Sequence, residues 1–139
     1  MAGSQLWPAQ EAMYTILYAD STLATLLTGS GRVFDGAPPN QDFPYACFGP
    51  LREVPDDTFA KNVKKANAVV WVFSRYAGNK EAARAVDRIA ALLDGGALSI
   101  TGYNRIRCTH VRSEVVILAD SVGLYRRGEA ELEIRAEQV

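Results

Sequence analysis

The segment from Asn67 to Arg75 constrains the fold of this 139-residue sequence more than any other segment. In an extended chain its apolar side chains point to both sides: Ala68, Val70 and Val72 to one, and Val69, Trp71 and Phe73 to the other. A strand that is apolar on both sides is typical of the middle of a sheet covered on both faces. We therefore expect a central, fully covered strand.

Two main helices are predicted to pack on this sheet. The first begins near Pro8 and runs to about Ala19, because its apolar residues are spaced to share one helical face. Asp20 or Ser21 is expected to cap a short helical turn after it. The second main helix runs from Asn79 to about Asp94, with one apolar stripe formed by Ala82, Val86, Ile89 and Leu93.

The remaining segments are typical of strands. A short strand is expected at Arg32–Phe34, a longer one at Tyr45–Val54, and two more at Tyr103–Ala119 and Leu124–Glu137. In the strand expected at Tyr45–Val54, Phe48 and Val54 should lie on one side, with Tyr45, Cys47 and Leu51 on the other. The order predicts an α+β fold: one domain over residues 1–139 with a mixed, mostly antiparallel sheet of about four to five strands and two main helices packed on it.

Charge and composition exclude several classes of protein. The chain has 15 Lys and Arg against 16 Asp and Glu, a formal charge of -1, which disfavours a dedicated DNA-binding module. Its apolar runs are far shorter than the ~20 residues of a membrane span, and its first residues do not read as a signal peptide. Cys47 and Cys108 are therefore expected to be buried free thiols, in a protein assembled in a reducing cytoplasm.

The sequence contains no recognised catalytic, cofactor-binding or zinc-binding motif. One histidine and two distant cysteines do not form a zinc site, and no nucleophile elbow, phosphate loop or dinucleotide fingerprint is present. Cys108 and His110 are two residues apart and would share one face of a strand, which leaves a small cysteine-dependent enzyme as a remote alternative. We expect no enzyme activity and no cofactor.

Two charged groups are candidates for contacts with other molecules. The polar, irregular segment from Pro55 to Lys65 is a candidate ring-contact or partner-contact loop through Asp56, Asp57, Lys61, Lys64 and Lys65. The row Glu129, Glu131 and Glu133 would point to one side of the last strand. That row is open to three interpretations: a solvated edge that discourages sheet-to-sheet aggregation, a surface facing a partner or a DNA channel, or a cation site.

Five segments carry a resemblance to a known family. They are Leu17–Leu26, Gly31–Asp35, Phe43–Gly49, Val70–Arg75 and the start of the second main helix at Lys80–Ala83. In their order and spacing, from about Glu11 to Glu137, the chain resembles the tail-completion or tail-terminator proteins of long-tailed phages and of phage-derived particles such as gene transfer agents. All five segments are structural signatures rather than catalytic motifs.

The resemblance implies a structural virion protein at the head–tail junction. Such proteins form a ring, usually a hexamer, at the head-proximal end of the tail tube, end tube polymerisation and join the tail to the head. The implied partners are further copies of the chain, the tail-tube protein and a neck or stopper protein, with DNA passing non-specifically through the lumen and no membrane involved. A neighbouring neck component, such as a head–tail adaptor or a stopper, is the alternative.

Overall fold

A computed structural model describes residues 4–36, 41–57, 62–96 and 98–138. Three helices and five strands follow in the order α1 (Leu6–Ala19), α2 (Ser21–Leu26), β1 (Val33–Phe34), β2 (Tyr45–Pro55), β3 (Val63–Ser74), α3 (Lys80–Leu93), β4 (Tyr103–Ala119) and β5 (Leu124–Gln138). The predicted elements are all present, and their bounds agree to within a few residues except at the start of β3.

The five strands form one sheet in the order β1-β2-β3-β5-β4. Strand β1 is parallel to β2, and every other pair is antiparallel. The fold is therefore α+β with a mixed, mostly antiparallel sheet, as the sequence predicts. Strand β4 lies at one edge of the sheet, and its pairing with β5 shifts register twice, between Asn104 and Arg107 and between His110 and Arg112.

One side of the sheet, which we call the helix side, carries the core. Buried residues alternate along β3 and β5 and pack with buried residues of the three helices. The set includes Met13, Leu17, Leu23, Ala68, Val70, Val72, Val86, Ile89, Leu93, Leu132 and Ile134. Each large side chain buried in this way contributes roughly 1.5–3 kcal/mol to stability.

The other side of the sheet, which we call the open side, corrects the prediction for the central strand. Strand β3 is central, but Val69, Trp71 and Phe73 are only half-buried, because the three helices pack on the helix side. The open side is instead covered in part by its own aromatic rings. Phe73 stacks on Tyr45, with ring centroids 5.1 Å apart, and contacts Tyr125 at 6.1 Å.

The prediction of which β2 side chains share a side is also wrong. A register shift between Phe48 and Leu51 reverses which alternate residues of β2 face the helices. Leu51 therefore pairs with Ala68 on the helix side, and Val54 pairs with Lys65 on the open side. Phe48 and Val54 therefore do not share a side. Gly49 lies at this shift, and a Cβ there would come within 3.0 Å of the Trp71 ring.

Candidate functional site

The segment between β2 and β3 is shorter than the sequence suggests, because β3 begins earlier than predicted. Strand β3 begins at Val63, so Lys64 and Lys65 belong to the sheet and not to a loop. The Asp57 carboxylate accepts the backbone N–H of Val63 at 2.9 Å, and the Asp56 backbone N–H donates to the Val63 carbonyl at 2.8 Å. Lys61 lies outside the described residues.

The charges of this segment are partly neutralised by the neighbouring strand. Asp56 accepts a hydrogen bond from Arg135 of β5 at 3.0 Å, and Lys65 lies 3.6 Å from the Glu133 carboxylate. Both pairs join exposed or half-exposed side chains. Asp56 and Lys65 are therefore held on the sheet, and the contact role of Asp56, Asp57, Lys61, Lys64 and Lys65 stays a prediction.

The glutamate row lies in the interior of the sheet, not at its edge. Strand β5 pairs with β3 on one side and with β4 on the other, so a solvated edge strand is the wrong interpretation of Glu129, Glu131 and Glu133. The alternation itself is confirmed, since Ala130, Leu132 and Ile134 are buried on the helix side.

Arg112 of β4 binds two glutamates of the row, Glu129 and Glu131. Its guanidinium donates to Glu131 at 3.0 Å, to Glu129 and to Glu114, its neighbour two residues along β4 at 2.9 Å. Glu129 also accepts the indole N–H of Trp71 at 3.0 Å. Arg112 therefore compensates part of the row's negative charge, and the carboxylates of Glu129 and Glu131 are engaged by donors rather than free to bind a cation.

A cluster of aromatic rings and arginines adjoins the row on the open side. The Arg127 guanidinium lies 5.1 Å from the Trp71 ring centre, and the Arg75 guanidinium lies 4.4 Å from that of Phe43. Sequence analysis did not single out these arginines or Arg112. Alternation shows which residues share a side of one strand, but only the register between strands places a guanidinium over a given ring or carboxylate.

The β4–β5 hairpin extends beyond the rest of the sheet. Strand β3 ends at Ser74, which pairs with Arg126, so residues 118–125 have no third strand beside them. Asp120 forms the turn by accepting the N–H groups of Val122 at 2.9 Å and Gly123 at 3.1 Å. Its carboxylate also pairs with Arg75, and the adjacent guanidinium lowers the pKa of Asp120 to about 2.

The end of this hairpin is apolar and exposed. The exposed fractions are 56% for Ile117, 76% for Val122 and 61% for Leu124. Large aliphatic side chains grouped at this level of exposure on a projecting element are typical of a surface that contacts another protein.

Cys108 is not placed as a nucleophile. Its side chain is 1% exposed in the core on the helix side, and burial raises the pKa of the thiol to about 12, with the Asp94 carboxylate adding to the rise. His110 instead interacts with Ser113, with 2.7 Å between its Nε2 and the hydroxyl oxygen. Cys47 and Cys108 are both buried and are not joined in a disulfide, as predicted.

A groove between α1 and β1 lies at the opposite edge of the sheet from the hairpin. Its volume is about 510 Å³, and it is lined by Trp7, Glu11, Tyr14, Phe34 and Asp35, among others. The Gln10 amide donates to Asp35 across it. Within the described ranges, no group of three or more His, Cys, Asp or Glu residues is placed to hold a metal ion.

The described helices are all too short or too polar to cross a membrane. A family model described as "Tail completion protein gp17" matches residues 11–137, which is most of the chain. The chain belongs to the tail completion protein family. It is thus a structural protein of a phage tail.

A solved structure supports the fold of this tail completion protein. A chain from the "Virion of native gene transfer agent (GTA) particle" superimposes with a TM-score of 0.83 at 23% sequence identity. The alignment covers 97% of this chain and 99% of that chain, so the two share the whole fold. A comparison with curated proteins finds no significant match.

Proposed function

We propose that this tail completion protein forms a hexameric ring at the head-proximal end of the tail tube, where it ends tube polymerisation and joins the tail to the head. The observation that carries the proposal is the family match over residues 11–137. It is supported by the surface chemistry, because the chain has an apolar projection at one edge of its sheet and an apolar groove at the other. Two different patches on one chain suit the head-to-tail contacts of a closed ring.

The test is deletion of the gene in the producing particle, followed by electron microscopy of the products. We expect filled heads without tails, together with separate tails that are overlong or unjoined. Heads that leak DNA beside tails of normal length would instead identify a stopper or adaptor and contradict the terminator role. Complementation with the intact gene is the control.

We further propose that the segment around Asp56, Asp57, Lys61, Lys64 and Lys65 contacts the tail tube or a neighbouring subunit. Lys65 is held by Glu133, so the sharper variant changes Lys61 and Lys64 to Glu and leaves Lys65 intact. Attachment to tails should fall while thermal stability stays nearly constant, because surface changes usually alter stability by less than ~0.5 kcal/mol. Lys80→Glu, an exposed lysine of α3, is the matched control. Undiminished attachment of the double variant would exclude this contact.

We also propose that the open side around Glu129, Glu131 and Glu133 faces the lumen, through which DNA passes without specific binding. The paired carboxylates and guanidinium there form a wall with little net attraction for phosphate. Changing Glu131 and Glu133 to Lys should slow DNA release from intact particles, most strongly at low salt. Asp87→Lys on the exposed face of α3 is the control, and equal release rates for all three proteins would rule out this placement.

A further inference from the structure

We propose that the end of the β4–β5 hairpin of one subunit docks into the α1–β1 groove of the next copy of the chain. The inference rests on the proposed ring and specifies its subunit contact. The hairpin end comprises residues 117–126, and the groove is the one lined by Trp7, Glu11, Tyr14 and Phe34.

The positions of the hairpin end and the groove suit a head-to-tail contact between copies. The hairpin is formed by the β4 edge of the sheet, and the groove lies beside β1 at the opposite edge. Across five strands the two edges are about 19 Å apart. A protein whose donor and acceptor surfaces lie on opposite edges joins copies head to tail, which gives a ring when the rotation between subunits closes.

The hairpin end projects beyond helix α3 and presents two apolar side chains on the helix side. Strand β4 has 17 residues, about 56 Å when extended, whereas the 14 residues of α3 span only about 21 Å. Leu124, Arg126 and Gly128 alternate on the helix side, and Ile117 pairs with Arg126. Helix α3 begins at Lys80 and does not extend over Ile117 and Leu124. These two side chains are therefore uncovered on the side where α3 packs.

The chemistry of the hairpin end is complementary to that of the groove. The hairpin end offers two aliphatic side chains beside Arg126, whose described hydrogen bond is a long one of 3.3 Å to the Asn79 amide oxygen. The groove offers aromatic rings beside Glu11, which forms no ion pair within the described part of the chain. Trp7 is 56% exposed although it is the largest side chain of the groove. Aliphatic side chains with a guanidinium therefore match aromatic rings with a carboxylate.

The turn at the hairpin end is held in place by contacts within the single chain. The Arg75–Asp120 pair and the two hydrogen bonds from Val122 and Gly123 to Asp120 fix the turn before any partner arrives. An ordered projection loses little conformational freedom when it docks, so a modest contact area is enough to hold a neighbour.

Charge exchange tests the contact in assembled particles. Arg126→Glu alone and Glu11→Arg alone should each lower the yield of completed particles by about tenfold or more, because each places like charges together. The double variant should restore most of the yield, which a simple folding defect in either single variant would not allow. Melting temperatures of the purified single variants close to that of the unchanged protein are the control. No rescue in the double variant would overturn the contact.

Cysteine cross-linking tests the same contact directly. Leu124→Cys with Tyr14→Cys should give, after oxidation of completed particles and denaturation, a ladder of disulfide-linked multimers of this chain alone. Leu124→Cys with Asp87→Cys, on the exposed face of α3, should give no ladder. Normal tails without a ladder, or a cross-link from Leu124→Cys to the tube protein, would overturn the docking proposal while leaving the terminator role intact. Failure of the terminator role would instead appear in the deletion experiment.

Discussion

Gly128 marks the closest approach of helix α3 to strand β5. A Cβ at this position would lie 2.5 Å from Cγ2 of Val86 and 3.3 Å from the Ala82 carbonyl oxygen. Since Val86 is buried and its β-branched side chain is stiff, Gly128→Ala should lower the free energy of unfolding by about 1–3 kcal/mol. Urea denaturation measures the change, with Gly36→Ala as the control because a Cβ there meets no atom of the described residues within 4 Å. Equal stabilities of the two variants would contradict the close packing.

Cys108 provides a residue-scale test of the chemistry. A thiol whose pKa is raised to about 12 by burial is almost entirely protonated at pH 8, and the core excludes reagents from it. Labelling of Cys108 by a thiol reagent should therefore occur only at the rate of unfolding. Val54→Cys, on the exposed end of β2, should be labelled rapidly in the same protein. Rapid labelling of Cys108 in the native protein would revive the cysteine-dependent enzyme alternative.

Among the elements, α2 depends most on a single side chain. The Asp20 carboxylate accepts the Leu23 N–H at 2.7 Å and two hydrogen bonds from Arg88 of α3, at 2.9 and 2.7 Å. Asp20→Ala should lower the free energy of unfolding by about 1–2 kcal/mol, most of it from the lost cap. Ser21→Ala is the control, since its side chain does not cap the helix. A loss of stability in Ser21→Ala equal to that in Asp20→Ala would assign the cap wrongly.

Acid should weaken the turn at the end of the β4–β5 hairpin. The pKa of Asp120 is lowered from an ordinary value of 3.8 to about 2, mainly by the hydrogen bond from Arg75. Because the folded value is the lower one, the stabilisation is complete above about pH 4 and is lost as the pH falls toward 2. Hydrogen exchange at the Val122 and Gly123 amides should therefore accelerate over that interval, relative to the intrinsic rate. Asp120→Asn should remove the acceleration, and an unchanged profile would contradict the role of the carboxylate.

For the whole molecule, one shared core predicts one cooperative unfolding transition. In a Trp7→Phe variant, Trp71 fluorescence reports on the open side of the sheet, while far-ultraviolet circular dichroism reports on all helices and strands. The two signals should change at the same urea concentration. Separate midpoints would show that the chain is divided into independently stable parts, contrary to the single domain predicted for residues 1–139.

The sequence was sufficient to predict the elements and the class of fold, because periodicity and turn residues are local. Helix α3 and strand β4 follow from the stripe beginning at Ala82 and from the extended pattern after Tyr103. The coverage of β3 was not predictable, because the apolar residues at Val69 and Trp71 fit a second layer of helices and an aromatic open side equally well. Likewise, the partners of Glu129 and Glu131 depend on the register between β4 and β5, which places Arg112 beside them.

The irregular pairing along β4 has a consequence for the subunit before assembly. An outermost strand of 17 residues is long enough to template the addition of further strands from other chains, which is the first step of aggregation. The two register shifts interrupt its row of outward-facing backbone groups, which makes continuous pairing with another strand unfavourable. We therefore expect β4 of one copy not to extend its sheet with β4 of another copy before assembly.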